Sequence, residues 1–187
     1  QLPEFKVVNN QLIAFSEKGI FVVDVTTKKR TIVKDTTSFS PYYGYPFQYK
    51  NQLYFTFNNQ IKIFENQKIK SVFNFSNGKL QNINNAFCNL GSGLFFSSNF
   101  NGKQHFFIKK DLSTTFTTCL VPEELKNKII ISVIKHDNLL WFCTNQGVVV
   151  CTISGDKITY KDTYLEKEYI TKIIKDKNNN YWFTSLL

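Results

Sequence analysis

The chain has 187 residues, 42% of them hydrophobic, and a formal charge of +9. It contains no run of about 18 apolar residues, so no segment reads as a membrane-spanning helix. The basic charge does not read as a nucleic-acid surface: Arg30 is the only arginine, and arginine is the residue that forks onto guanine and phosphate. The lysines are scattered along alternating segments, which suits solvated outer strands and protected sheet edges; an anionic partner is the alternative. Nineteen phenylalanines supply a dry core, each worth roughly 1.5–3 kcal/mol when buried.

Gln1 opens the chain and no Met occurs anywhere. Removal of the native start, by cleavage of a secretory signal upstream, is the expectation. Segments of alternating polarity then follow one another: Phe5–Val8, Leu12–Ser16, Gly19–Val25 and Arg30–Lys34. Asn9-Asn10 separates the first two, and Asn, Asp and Gly supply the positive φ of tight hairpins. The segment at 36–46, T-T-S-F-S-P-Y-Y-G-Y-P, is the most unusual connection. A second group of strands spans about 47–75, with N-Q-L-Y-F-T-F at its centre. A third spans about 86–119 around G-L-F-F-S-S. The link V-P-E-E-L-K-N-K from Val121 predicts one helical turn with Pro122 at its first position. The fourth group reads Ile130–Ile134, Leu139–Thr144, Gly147–Ile153 and Lys157–Lys161, with turns at Asp137-Asn138, Asn145-Gln146-Gly147 and Ser154-Gly155-Asp156. The last, 170–185, holds two strands around D-K-N-N-N.

These groups are one repeat. Trp141 and Trp182 each follow an aliphatic strand and a polar turn, with a hydroxyl residue three places on. Phe95, Tyr54 and Ile13 hold the same place upstream, and Gly19 and Gly147 each fall six after their anchor. The anchors Ile13, Tyr54, Phe95, Trp141 and Trp182 are spaced by 41, 41, 46 and 41 residues. Four antiparallel strands in about 40 residues is the unit of a β-propeller. The fold expected is therefore all-β: a β-propeller fragment of four four-stranded blades (about 5–35, 47–75, 86–119 and 130–161) plus half of a fifth at 170–185. The five extra residues of the third repeat fit either the hairpin Asn99–Lys103 or the link Val121–Lys128. An open arc of blades leaves an apolar face that further blades or a partner chain would cover.

Catalysis finds little footing. Only His105 and His136 are present, each at a position that suits a structural role. No Ser-His-Asp spacing, metal triad or glycine-rich phosphate loop occurs, so no catalytic residue, metal or cofactor is assigned. The aspartates, among them Asp24 and Asp176, fall at strand ends where Asx-turns account for them. Cys88, Cys119, Cys143 and Cys151 follow no metal spacing and read as buried thiols; a Cys143–Cys151 disulfide across one hairpin is the alternative in an oxidising compartment. Repetition of Trp141 and Trp182 argues for packing between blades over sugar stacking. The ligand candidates are Tyr42, Tyr43 and Tyr45 in the 36–46 connection, whose rings pair a flat apolar face with a hydroxyl; packing against the neighbouring blade competes with that reading.

At Asp176 to Ser185, D-K-N-N-N-Y-W-F-T-S resembles the signature of the two-component regulator propeller repeat. Asp176, Asn180, Trp182 and Ser185 match its Asp, Asn, Trp and Thr; Asn179 stands where Gly is usual, and Asn is the next most tolerant of the left-handed region. Trp141, Thr144 and Gly147 match in the fourth copy, while the first three keep only spacing and character. The resemblance implies seven-bladed propellers in the periplasmic sensor region of membrane histidine kinases, often hybrid ones, of which this chain would be about half of one propeller. It implies a non-catalytic sensor that detects an oligosaccharide, with the remaining blades and a kinase module of the same protein as partners and a homodimer as a further one. A propeller scaffold binding another protein is the competing role.

Overall fold

Alternation and turn chemistry become hairpins throughout the chain. The computed structural model describes residues 5–16, 19–34, 46–57, 60–74, 86–100 and 103–186. The strands are β1 (Phe5–Val8), β2 (Gln11–Ser16), β3 (Gly19–Asp24) and β4 (Arg30–Val33); β5 (Phe47–Tyr49), β6 (Gln52–Phe57), β7 (Gln60–Glu65) and β8 (Lys68–Asn74); β9 (Ala86–Asn89), β10 (Gly93–Phe100), β11 (Lys103–Lys110) and β12 (Thr117–Thr118). They continue, after one helical turn α1 (Glu123–Lys126), with β13 (Ile130–His136), β14 (Leu139–Thr144), β15 (Gly147–Ser154) and β16 (Lys157–Tyr164), then β17 (Tyr169–Lys175) and β18 (Tyr181–Leu186). Each consecutive set of four forms one antiparallel meander, and β17–β18 forms a two-stranded sheet. Pro122 sits at the N-cap of α1, one residue before the position read from the sequence.

Two compact units divide the chain, residues 1–82 and 83–187. In the first, Ile13, Phe15, Ile20 and Val22 of one sheet pack on Leu53, Phe55, Phe57 and Phe64 of the next. Phe15 and Phe55 meet edge to face, 5.0 Å between centroids. In the second unit the fourth sheet is buried on both faces. Leu140, Phe142, Val149 and Cys151 join Phe95, Phe106 and Ile108 of the third sheet. Trp141, Cys143, Val148 and Val150 face the other way, onto Ile170 and Ile173 of β17. Period-2 alternation thus splits each central strand between two cores, and the first strands β9, β13 and β17 lie side by side.

Parity also settles the thiols. Cys143 belongs to one face of the fourth sheet and Cys151 to the other, so a disulfide between them is impossible without breaking the sheet, and all four cysteines are free and buried. Burial pushes the thiols of Cys88, Cys119 and Cys151 up to about 12.

The register locates most of the extra length of the third repeat. In the other four-stranded sheets the anchor and its partner across the hairpin stand nine residues apart (Ile13↔Val22, Tyr54↔Ile63, Trp141↔Val150). Phe95 pairs with Ile108, thirteen apart. Four of the five residues therefore lengthen the β10–β11 hairpin, and the fifth falls between Ile108 and Trp141, a span that includes the link carrying α1. That link covers an edge: Leu120 donates its N–H to Asp156 O (2.9 Å) and accepts from Ile158 N (2.8 Å), bridging onto the outer strand β16.

Candidate functional site

The repeat anchors occupy one register position in their sheets, yet their surroundings differ. Trp141 is 9% exposed and stacks between Tyr181 (4.6 Å) and Tyr164 (5.8 Å). Its buried indole N–H finds no acceptor among the described residues. Phe95 meets Phe142 edge to face at 5.6 Å, and Ile13 and Tyr54 are likewise buried. Trp182 is 62% exposed, because β18 turns Tyr181 and Phe183 toward the fourth sheet and leaves Trp182 on the opposite face. Reading both tryptophans as packed between blades therefore holds for Trp141 and fails for Trp182 among the described residues.

What holds Trp182 explains its motif. Asp176 Oδ1 accepts from the backbone N–H groups of Asn178 (2.8 Å) and Asn180 (2.9 Å). Its Oδ2 accepts from Asn180 Nδ2 and from Trp182 Nε1, both at 3.0 Å. Asn179, in the glycine place of the signature, has φ 67°, which Asn tolerates. Asp, Asn and Trp at this spacing are thus the three corners of one hairpin clamp. The Trp182 indole and the backbone N–H groups hold the Asp176 carboxyl down at about 2. The two glycines six after their anchors share a different task. A Cβ on Gly19 would stand 2.8 Å from Val33 O, and one on Gly147 2.6 Å from Tyr164 O, so both let the outer strand close over the hairpin.

Tyr42, Tyr43 and Tyr45 lie outside the described residues. His105 stacks at 6.4 Å on Phe107 within β11. His136 Nε2 lies 3.1 Å from Asp137 Oδ2 and also touches Lys175 Nζ. Among the described residues no group of His, Cys, Asp and Glu is placed to hold a metal.

The second unit holds a cleft of about 690 Å³ between its two four-stranded sheets, a size that suits a small ligand. The turns β9–β10 and β11–β12 form one wall, and β13–β14 and β15–β16 the other. Leu90, Ile108 and Ile153 give it an apolar floor; Lys110, Asp111, Lys135 and Asn138 stand around them. Fully exposed Leu112 marks one lip. Lys135 Nζ comes within 3.9 Å of a Cβ built on Gly91, at the β9–β10 turn. Sequence reading missed this cleft. Lys110 and Lys135 look like ordinary strand-end lysines until the third and fourth sheets stack.

No family model matches the chain, and no curated protein matches it. Solved structures do. The extracellular domain of the hybrid two-component system BT4673 from B. thetaiotaomicron superimposes with a TM-score of 0.70 at 15% identity, over 97% of this chain and 25% of that one. The chain is a β-propeller fragment. It spans about a quarter of the BT4673 domain's length. YCF48 from Cyanidioschyzon merolae is similar too (TM-score 0.65, 10% identity, 98% of this chain and 66% of that one), and YCF48 has also been solved bound to a D1 peptide. Dipeptidyl peptidase 4 of Porphyromonas gingivalis shares the fold (TM-score 0.56, 9% identity, 97% and 33%), so the fold by itself assigns neither catalysis nor its absence.

Proposed function

We propose that this chain is part of a non-catalytic sensor propeller in the extracytoplasmic, periplasmic region of a two-component histidine kinase, and that it recognises a glycan or oligosaccharide. The observation that carries this reading is the likeness, over 97% of the chain, to the extracellular domain of a hybrid two-component system. The Asp176–Asn180–Trp182 clamp adds to it, because those residues match the repeat signature of such sensors. The kinase module and the remaining blades belong to other parts of the same protein, and a homodimer is the natural output state. Stacked sheets are stiff and their packing is close to that of a crystal. Ligand capture therefore acts by shifting a pre-existing equilibrium between domain or dimer arrangements.

The test is calorimetric titration of the intact protein with an oligosaccharide panel, run beside an assay of kinase autophosphorylation. Saturable binding that changes phosphorylation supports the reading. Phosphorylation that ignores every glycan but responds to a protein from the same envelope would replace it with a protein-binding scaffold. That second role draws on the peptide-bound YCF48 and on the exposed apolar face formed by Ile174, Trp182 and Leu186.

A further inference from the structure

We propose that the cleft between the third and fourth sheets takes an acidic oligosaccharide, one whose sugar rings carry carboxylates, and that Lys110 and Lys135 recognise those groups. This inference rests on the sensing reading above and names the ligand class for a particular site.

The argument begins with charge. Lys110 and Lys135 stand at the cleft beside one carboxylate, Asp111, while Lys109, next to Ile108 on β11 and paired with Leu94, belongs to the other face of its sheet. Among the described residues neither Lys110 nor Lys135 has an ion-pair partner, whereas Lys70 and Lys126 elsewhere pair with Glu65 and Glu123. A concave, low-dielectric wall focuses such unneutralised charge onto whatever enters.

The chemistry of the wall narrows the anion. Compact polyanions such as phosphate clusters are met by forked arginines or by converging backbone N–H groups. The cleft holds no arginine, and the N–H groups of its turns are used internally: Leu90 N to Gly93 O at 2.9 Å, Gly91 N to Asn89 Oδ1 at 2.7 Å, and Asp111 N to Ser92 O at 3.2 Å. What remains is separate point charges, Lys110 on one wall and Lys135 on the other. They suit single negative charges spread along a ligand.

The floor supplies the frame. Leu90, Ile108 and Ile153 offer an aliphatic surface to the C–H face of a sugar ring, and Leu112 extends it at the lip. Among the described residues no aromatic side chain lines the cleft. A neutral sugar would therefore lack both the ring platform and the charge contacts that give affinity, while a carboxylated one keeps the latter.

The experiment is calorimetric titration of the intact protein with trigalacturonate, with maltotriose as the neutral frame and citrate as carboxylate without a frame. Expected is saturable trigalacturonate binding that weakens as salt rises. Each lysine-to-alanine change should weaken it about two- to fivefold, as for exposed charge pairs, and K110E/K135E together by about tenfold or more. K70E, at a lysine that does not line the cleft, should leave it unchanged, and unaltered urea midpoints for the lysine variants show that folding is intact. Equal binding of citrate would overturn the oligosaccharide frame. Maltotriose binding that ignores the lysine changes would overturn the anionic class while leaving glycan sensing standing. Absence of trigalacturonate binding overturns the inference outright, and the kinase assay with the wider panel then judges the sensing reading separately.

Discussion

Trp141→Ala probes the stacked sheets where they are most dependent on one side chain. The indole fills the space between the fourth sheet and β17, with Tyr164 and Tyr181 on its two faces and Val148, Val150, Ile170 and Ile173 around it. Truncating a buried tryptophan typically costs about 3–5 kcal/mol. Among the described residues the indole N–H has no acceptor, so the loss is one of packing and should be about 3–4 kcal/mol. Trp182→Ala is the internal control: same motif place, 62% exposed in the 187-residue chain, one hydrogen bond to Asp176. Its expected cost there is about 1 kcal/mol or less. Urea melts of the 187-residue chain followed by far-UV circular dichroism give both values, and Trp141→Phe keeps a measurable folded state should the alanine variant unfold. A Trp141→Ala loss below about 1 kcal/mol, or a Trp182→Ala loss as large as it, would refute the packing argument.

Other outcomes follow from the same geometry. Gly147→Ala should destabilise by about 1–3 kcal/mol, since φ is 90° and the new Cβ meets Tyr164 O and Leu165 O; Gly155→Ala, with open space around it, should cost less in the same melts. Asp176 has its carboxyl held down at about 2 against an ordinary 3.8, so the clamp's contribution is complete above pH 4 and is lost as the pH falls through about 2. Trp182 emission should titrate with that low midpoint, and D176N should abolish the transition; a midpoint near 4 would contradict the clamp. Cys88, Cys119 and Cys151, with thiols pushed up to about 12, should resist iodoacetamide at pH 8 in the folded protein and react readily in denaturant. Rapid labelling of the native protein would show that the cores are open.

Much of the architecture was legible because each repeat spends the same residues on the same local tasks. Asn9-Asn10 and Gly155 have the positive φ their hairpins require, Gly19 and Gly147 sit where a side chain cannot, and Thr144 Oγ1 bonds Gly147 O at 2.8 Å as Ser16 Oγ bonds Gly19 O at 3.1 Å. Such tasks are settled within one hairpin, and so is the separation of Cys143 from Cys151, which strand parity alone decides. Other features depend on what lies across a sheet interface. Nothing local distinguishes Trp141 from Trp182; only the neighbour on one face buries the first and leaves the second open. Lys110 and Lys135 are separated along the chain, and no strand pattern brings them to one cleft. The longer third repeat could have entered its hairpin or its link, and only the Phe95↔Ile108 register divides it.

The central claim is that Phe95 and Trp141 each face the sheet that follows them. Aromatic and methyl NOE contacts in the isotope-labelled protein reach that claim most directly. Cross-peaks should join Trp141 to Tyr181 and Ile173, and Phe95 to Phe142, while Trp182 contacts Asn180 and its own hairpin. Cross-peaks from Trp141 to Phe106 or Leu90 instead would place the anchor on the opposite face and contradict the account.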